Sequence, residues 1–509
     1  MKYKKMIEKA WIVGCWIGLL FFLCLIFATN IFHFNYRMNA DLASDAILGK
    51  LIWESRQLIP DSWFIARETR IISTPNIAGS LYGILGNMNL SMGMACVVMT
   101  LLILVSAFFC LYKMGYKYDY PIFAFILLMF PANYVLLELL YLFASYYAIH
   151  VVLLFLTVGV YADSLKKNRL TMCGGILCLI FALLLGMQGA RGILVIYGPL
   201  LALEVLRIIY RYYCRETMKN ADVYISVWTV LMVIVSFIGM KSPFSVEQEL
   251  SRNIRKGFSK LGNVVLQDAK SALGFLDTGT IGKICIAILL LASIGVFLYI
   301  IYKMLKRKDL LIADWIYLMF CVSVILTELM VAFTTIESTP RYYFVLVLII
   351  PFGILIIWQR TRNFVRIPII MIVLILAVSN IHSVYFPIMK SSEPPETDCY
   401  QVAEYLEENQ YYLAYATFEN ANTITALTNG NVLVASVAST EKMDICKWMT
   451  STKWYPPEIA RDQVTAYVVT ETELPDFMNF VNGKDIQEVQ QIGNYHVFAS
   501  EYNYVNLLE

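Results

Sequence analysis

Apolar runs of about 20 residues, the length a helix needs to cross a bilayer core, recur along the chain from its start to residue 386. Windows of that size pick out about eleven candidate spans. They lie near 10–33, 89–112, 121–138, 143–162, 170–187, 192–210, 221–240, 281–303, 311–333, 342–359 and 366–386. The apolar stretch from Pro121 to Tyr161 can hold two spans or shorter re-entrant pieces. After residue 387 the period changes. Val402–Glu408, Ala421–Leu427 and Leu474–Val481 read as helices; Leu413–Phe418, Val432–Val437 and Ala466–Thr470 read as strands. Val489–Ala499 reads as one or two more strands. The pattern predicts a polytopic α-helical membrane protein: a transmembrane domain over 1–386, with an inter-span loop at 34–88, then a small α/β domain over 387–509.

Composition agrees. Hydrophobic residues make up 59% of the 509 and charged residues 15%, where a soluble domain carries about 45–50% and about 25%. Charge also sorts by segment. Residues 387–509 hold 6 of the 40 Lys+Arg but 18 of the 38 Asp+Glu, so nucleic acid is not an expected partner. The basic residues cluster at Lys2/Lys4/Lys5/Lys9, Lys113/Lys117, Lys166/Lys167/Arg169, Arg207/Arg211/Arg215/Lys219, Lys303/Lys306/Arg307/Lys308 and Arg360/Arg362/Arg366. With the spans above, all fall on one side. The positive-inside tendency makes that side cytoplasmic in a plasma membrane. It places 34–88, 188–192, 241–280, 334–341 and the acidic tail outside. The first run lacks a small-x-small cleavage site, which favours an uncleaved helix over a signal peptide.

Few motifs carry chemistry. Most of the eleven cysteines sit within spans; Cys399 and Cys446 lie in the tail, where a disulfide is permitted. The four histidines show no zinc spacing. The richest segment is Asn39–Glu54. At 100° per residue, Asp41, Asp45, Leu48 and Ile52 share one stripe, with Lys50 and Glu54 opposite. Both aspartates are thus expected to face the protein body, where a carboxylate needs a partner or a role. The alternative is that acids in a first turn merely suit the helix dipole.

Two arginines break the charge rule. Arg191, in Gly186-Met-Gln-Gly-Ala-Arg191-Gly192, and Arg341, in Glu337-Ser-Thr-Pro340-Arg341-Tyr342, fall in outer turns. Charge at membrane depth is usually paired or functional, and guanidinium matches phosphate oxygens through its planar fork. Glu337 with Arg341, or Glu68 with Arg70, can instead form structural ion pairs. Within 241–280, Arg252, Arg255, Lys256 and Lys260 interleave with Phe258, Leu261, Val264 and Val265. This is an amphipathic segment suited to a headgroup boundary and to guiding an anionic lipid head. In the tail, Trp448, Trp454, Tyr455, Pro456 and Pro457 can stack on sugars or simply pack.

This layout resembles the GT-C superfamily of polytopic membrane glycosyltransferases, in particular bacterial relatives of the dolichyl-phosphate-mannose protein mannosyltransferases and the lipid A aminoarabinose transferase. Asp41 follows span one as the family's catalytic aspartate does, and Arg341-Tyr342 looks like its late Arg-Tyr element. The family's Asp-Glu pair is absent here: Asp41 is followed by Leu42, and the second acid is Asp45. No Trp-Trp-Asp-Tyr-Gly-type motif of oligosaccharyltransferases occurs in the tail. The resemblance implies a polyprenyl-phosphate-linked sugar as donor and a glycan, lipid or protein as acceptor. It implies Asp41 as general base with inversion, and Arg191 and Arg341 on the leaving phosphate. Asp45 or Glu68 would orient sugar or acceptor, or ligate a divalent metal such as Mg or Mn; Glu337 and Tyr342 complete the substrate-binding set. These acids and cations are expected to meet in one extracytoplasmic site. The competing reading is a transporter or flippase of lipid-linked glycans, which would place charge mid-span, with Glu138 and Glu328 as candidates.

Overall fold

The computed structural model describes residues 2–65, 68–243, 251, 254–361, 363–390, 397–455 and 464–505. Arg67, Arg252, Arg362, Pro456 and Pro457 lie outside them, as do the side chains of Arg255, Lys256 and the N-terminal lysines. The helices, in chain order, are α1 (Lys2–Phe32), α2 (Ala40–Ser55), α3 (Thr74–Leu85), α4 (Met88–Met114), α5 (Tyr120–Met129), α6 (Tyr134–Leu140) and α7 (Ala148–Lys167). Then come α8 (Met172–Met187), α9 (Gly198–Tyr213), α10 (Asn220–Met240), α11 (Ile254–Lys260), α12 (Leu266–Ala272), α13 (Thr280–Leu305) and α14 (Ile312–Phe333). The series closes with α15 (Phe344–Arg360), α16 (Asn363–Asn380), α17 (Phe386–Lys390), α18 (Thr397–Glu408), α19 (Phe418–Leu427) and α20 (Leu474–Val481).

Among the described residues, nine helices are long and apolar enough to cross a membrane. Two of the eleven expected spans differ. The run at 170–187 becomes α8, apolar but only 16 residues long. The run at 121–138 breaks into the buried α5 and the shorter α6, because Pro131 lacks an N–H and Asn133 starts a new helix. Its side chain accepts from the Leu136 amide at 3.1 Å.

The chain divides into two compact units. The first holds Met1–Phe27, Met99–Tyr141 and Ser145–Ile388. Two buried charge clusters inside it are paired, as a low-dielectric surround requires. Arg207 on α9 donates to both oxygens of Glu204, at 2.7 and 2.9 Å, and to Asp222 of α10 at 2.9 Å. The Tyr161 hydroxyl of α7 donates to Glu204 at 2.7 Å and the Ser226 hydroxyl at 2.9 Å. Asp314, fully buried at the start of α14, accepts from the Leu311 amide, Lys303 and Arg360. Helices α8 and α10 touch backbone to backbone: a Cβ on Gly186 would lie 2.1 Å from the Ser236 carbonyl, and one on Gly239 2.4 Å from that of Leu183.

The second unit holds Ala28–Val98, Leu142–Ala144 and Met389–Glu509, so residues 34–88 are built together with the tail. Its sheet comprises β1 (Leu413–Thr417), β2 (Leu433–Val437), β3 (Thr465–Thr470), β4 (Gln487–Ile492) and β5 (Tyr495–Ser500), in the order β2-β1-β3-β5-β4. The three strands β2, β1 and β3 run parallel, and β5 and β4 close the sheet antiparallel. Every tail element read from the sequence is present, the final stretch as two strands. Cys399 is buried in the core under α18 with Val402 and Leu406, while the Cys446 amide donates to Ser436 beside β2. Both are free thiols, so the permitted disulfide is not formed.

Arg207→Ala would leave Glu204 and Asp222 buried without their counter-charge, at a cost of about 3–5 kcal/mol. We expect a markedly lower thermal midpoint in detergent, and only partial recovery with Arg207→Lys, which cannot form the two-pronged bond to Glu204.

Candidate functional site

The acids of 34–88 are positioned by α2. Asn39 caps this helix, its side chain accepting from the Leu42 amide at 3.0 Å. Helix α3 starts at the Ser73/Asn76 capping box with Pro75 in its first turn. It crosses α2 where two glycines meet: a Cβ on Gly79 would lie 2.8 Å from the Gly49 carbonyl. Helix α19 covers another side of α2. There Asn422 donates to the Ser44 hydroxyl at 2.7 Å and to the Met449 carbonyl at 2.9 Å. Backbone pairing of 62–64 with 449–452 adds to the attachment, with Phe64 donating to Thr450, Met449 to Phe64 and Thr452 to Ser62.

This packing corrects the stripe expected from the helical wheel. Covered on several sides, α2 is buried through almost its whole length, and Asp41 and Glu54 are left outward near its two ends. Asp45 alone of the aspartate pair is interior, 1% exposed. Its Oδ1 faces Arg70 Nε at 3.5 Å. The partner of Arg70 in this contact is therefore Asp45, a pairing that sequence reading missed because the two are 25 positions apart. The other oxygen of Asp45, Oδ2, is buried without a hydrogen-bond partner among the described residues. Burial pushes the Asp45 carboxyl up to about 6. Arg70 pulls against it, and the nearby Asp41 and Glu68 push the same way as burial. Asp41 and Glu68 thus lie near enough to Asp45 to act on its charge.

Arg191, Glu337, Arg341 and Tyr342 belong to the first unit. The Arg191 guanidinium lies over the Tyr147 ring at 3.7 Å, and Tyr147 packs on Phe344 with ring centroids 5.4 Å apart. Phe344 directly follows the Pro340–Tyr343 turn that carries Arg341 and Tyr342, so Tyr147 links the two arginine turns. Glu337 and Arg341 are both exposed and form no ion pair; Arg341 instead lies 5.7 Å from the centre of the Tyr342 ring. Glu138 is half-buried on the short α6 and Glu328 half-buried on α14.

Two expectations about neighbouring residues change. Lys260 does not face lipid. Its amine donates to the carbonyls of Val331, at 2.6 Å, Thr334, at 3.1 Å, and Ile336, satisfying the orphan carbonyls at the end of α14. It thereby fixes the start of the turn that carries Glu337 and Arg341. In the tail, Trp454 and Tyr455 are buried, and the Tyr455 hydroxyl donates to the Ser436 carbonyl at 2.7 Å. They pack, and only Trp448 of the described aromatic residues there is exposed. Asp45, buried against a guanidinium, does not fit a divalent cation. Among the described residues no three His, Cys, Asp or Glu side chains stand together as ligands.

A raised acid pKa favours the protonated fold. The stability from Asp45 is fully present below its unfolded value near 3.8 and lost as pH rises through about 6. The thermal midpoint should fall between pH 5 and pH 7. Asp45→Asn should flatten that fall, stabilising at pH 7.5 by on the order of 3 kcal/mol. Lys260→Met should cost about 1–3 kcal/mol and speed amide exchange across 334–341, with exchange in the tail unchanged.

No family model matches this chain, and no curated protein sequence does. Solved structures match its fold. ArnT from Cupriavidus metallidurans in the apo state superposes with a TM-score of 0.58 at 10% identity, over 97% of this chain and 98% of that one. The same protein bound to undecaprenyl phosphate gives 0.54 at 10% identity, over 95% and 98%. The archaeal oligosaccharyltransferase AglB from Archaeoglobus fulgidus, in complex with an inhibitory peptide and a dolichol-phosphate, gives 0.50 at 11% identity, over 90% and 69%. At such identity the likeness is one of fold: this chain shares the fold of these proteins.

Proposed function

We propose that this protein is a membrane glycosyltransferase that moves a sugar from a polyprenyl-phosphate donor to an acceptor hydroxyl, with inversion at the anomeric carbon. The observation that carries the reading is the exposed Asp41 one turn from a buried carboxylate held near pH 6, on a fold shared with proteins solved with undecaprenyl phosphate and dolichol-phosphate. Surface carboxylates beside a membrane suit proton removal from a hydroxyl. A flippase would need charge along a path through the spans; its candidates Glu138 and Glu328 are half-buried, on the short α6 and on α14, while Glu204, Asp222 and Asp314 are tied to arginines or lysine.

In this reading the acceptor oxygen attacks the anomeric carbon and the bond from that carbon to the phosphate oxygen breaks. Asp41 takes the hydroxyl proton. Charge grows on the departing lipid phosphate, where Arg191 and Arg341 stabilise it. The Tyr147 face holds the Arg191 guanidinium in place, which limits the ordering cost on binding. Asp45 or Glu68 orients the acceptor or the sugar; Glu337 and Tyr342 contact the donor. No step passes through a metal. In this reading the N-terminus is cytoplasmic and the terminal domain extracytoplasmic, a placement that the basic clusters support.

Asp41→Asn should lower single-turnover sugar transfer from an undecaprenyl-phosphate sugar by about 10²–10⁴-fold, with undecaprenyl-phosphate affinity and thermal midpoint unchanged. Transfer at the wild-type rate would remove Asp41 from the mechanism.

A further inference from the structure

A second polar cavity lies in the first unit, at the ends of α9 and α10 and the loop between α13 and α14. Its volume is about 340 Å³. Four cations line it: Arg207, Arg211, Lys219 and Arg307. Of the three acids that line it, Asp222 is bound by Arg207 and Arg211, and Glu216 by Arg211. That leaves Asp309 against Lys219 and Arg307, neither of which meets a carboxylate among the described residues. Counting Glu204, which also binds Arg207, four acids stand against the four cations, so the open positive charge is local to Lys219 and Arg307 on the exposed side. Arg307 sits at φ 51°, the left-handed position after α13 where glycine is favoured. Its guanidinium rests 4.3 Å over the Tyr213 ring. The cavity wall is fixed, since the Tyr210 hydroxyl donates to the Lys308 carbonyl at 2.8 Å.

The rim shows what reaches this cavity. Tyr212, Tyr213 and Tyr302 are 85%, 45% and 50% exposed, beside exposed Met218, Leu305 and Leu311. Aromatic residues interleaved with Lys and Arg at span ends mark the headgroup level of a bilayer. A cavity whose open side carries Lys219 and Arg307 at that level is within reach of lipid phosphates.

We propose that this cavity binds the phosphate headgroup of an anionic membrane lipid, held by Lys219 and Arg307 on a scaffold of Arg207 and Arg211. The occupant is distinct from the sugar donor, and the proposal stands whether or not the glycosyltransferase reading does.

The test is native mass spectrometry of the full chain in detergent, titrated with phosphatidylglycerol, phosphatidylcholine or inorganic phosphate. Phosphatidylglycerol should be retained in preference to phosphatidylcholine. Each removed cation is worth about fivefold, so Lys219→Gln with Arg307→Gln should weaken retention about 30-fold. Both residues are exposed and outside the buried ion network, and Arg307→Lys, which keeps the charge, should restore most of the binding. Equal retention of the two lipids by the wild-type protein, or equal retention of phosphatidylglycerol by wild type and double variant, would overturn the proposal. So would inorganic phosphate displacing phosphatidylglycerol at comparable concentration, which would assign the cavity to a soluble phosphate.

Discussion

Helix α2 is held in the second unit by polar contacts from the tail, and the chemistry of its acids follows from that attachment. One amide side chain, Asn422, bridges Ser44 and the Met449 carbonyl, and a short backbone ladder joins 62–64 to 449–452. Asn429 adds a further tie, accepting from the Met88 amide and donating to the Gly86 carbonyl. Ordering these segments costs conformational entropy that isolated surface loops could not offset. The tail supplies the buried surface that does, and in doing so removes water from Asp45. Without that desolvation, Asp45 would titrate as an ordinary surface acid.

A related constraint shapes the first unit. A polar group away from water must find its partner inside the protein, and the buried charge clusters of the described spans do so. Arg207 satisfies two carboxylates, Asp314 receives a lysine and an arginine, and Lys260 closes three carbonyls at the end of α14. These clusters give directionality to helices whose other contacts are non-directional. They also make the exceptions informative: among the described residues the side chains of Arg341, Lys219 and Arg307 form no ion pair, and each lies at the end of a span. Arginine and tyrosine recur together at these places. Arg191 lies on Tyr147, Arg307 on Tyr213, and Arg341 near Tyr342. An aromatic face holds a guanidinium in one orientation without neutralising it.

The sequence by itself determined what depends on composition and period. Runs of apolar residues specify membrane helices because no other arrangement satisfies the backbone in lipid. Alternation and turn residues from Val402 to Ala499 specified each helix and strand of the tail, because a half-buried strand and an amphipathic helix have different periods. Asp41, Asp45 and Arg341 stood out because charge in an oily chain is costly. Tertiary structure alone decided which of the two aspartates is buried, since a helix wrapped on several sides has no single inner stripe. It also decided that Asp45 meets Arg70, that Lys260 caps a helix instead of facing lipid, and that Cys399 and Cys446 stay apart. Each of these rests on a contact between residues distant in sequence, and periodicity, being a local property, carries no information about such pairs.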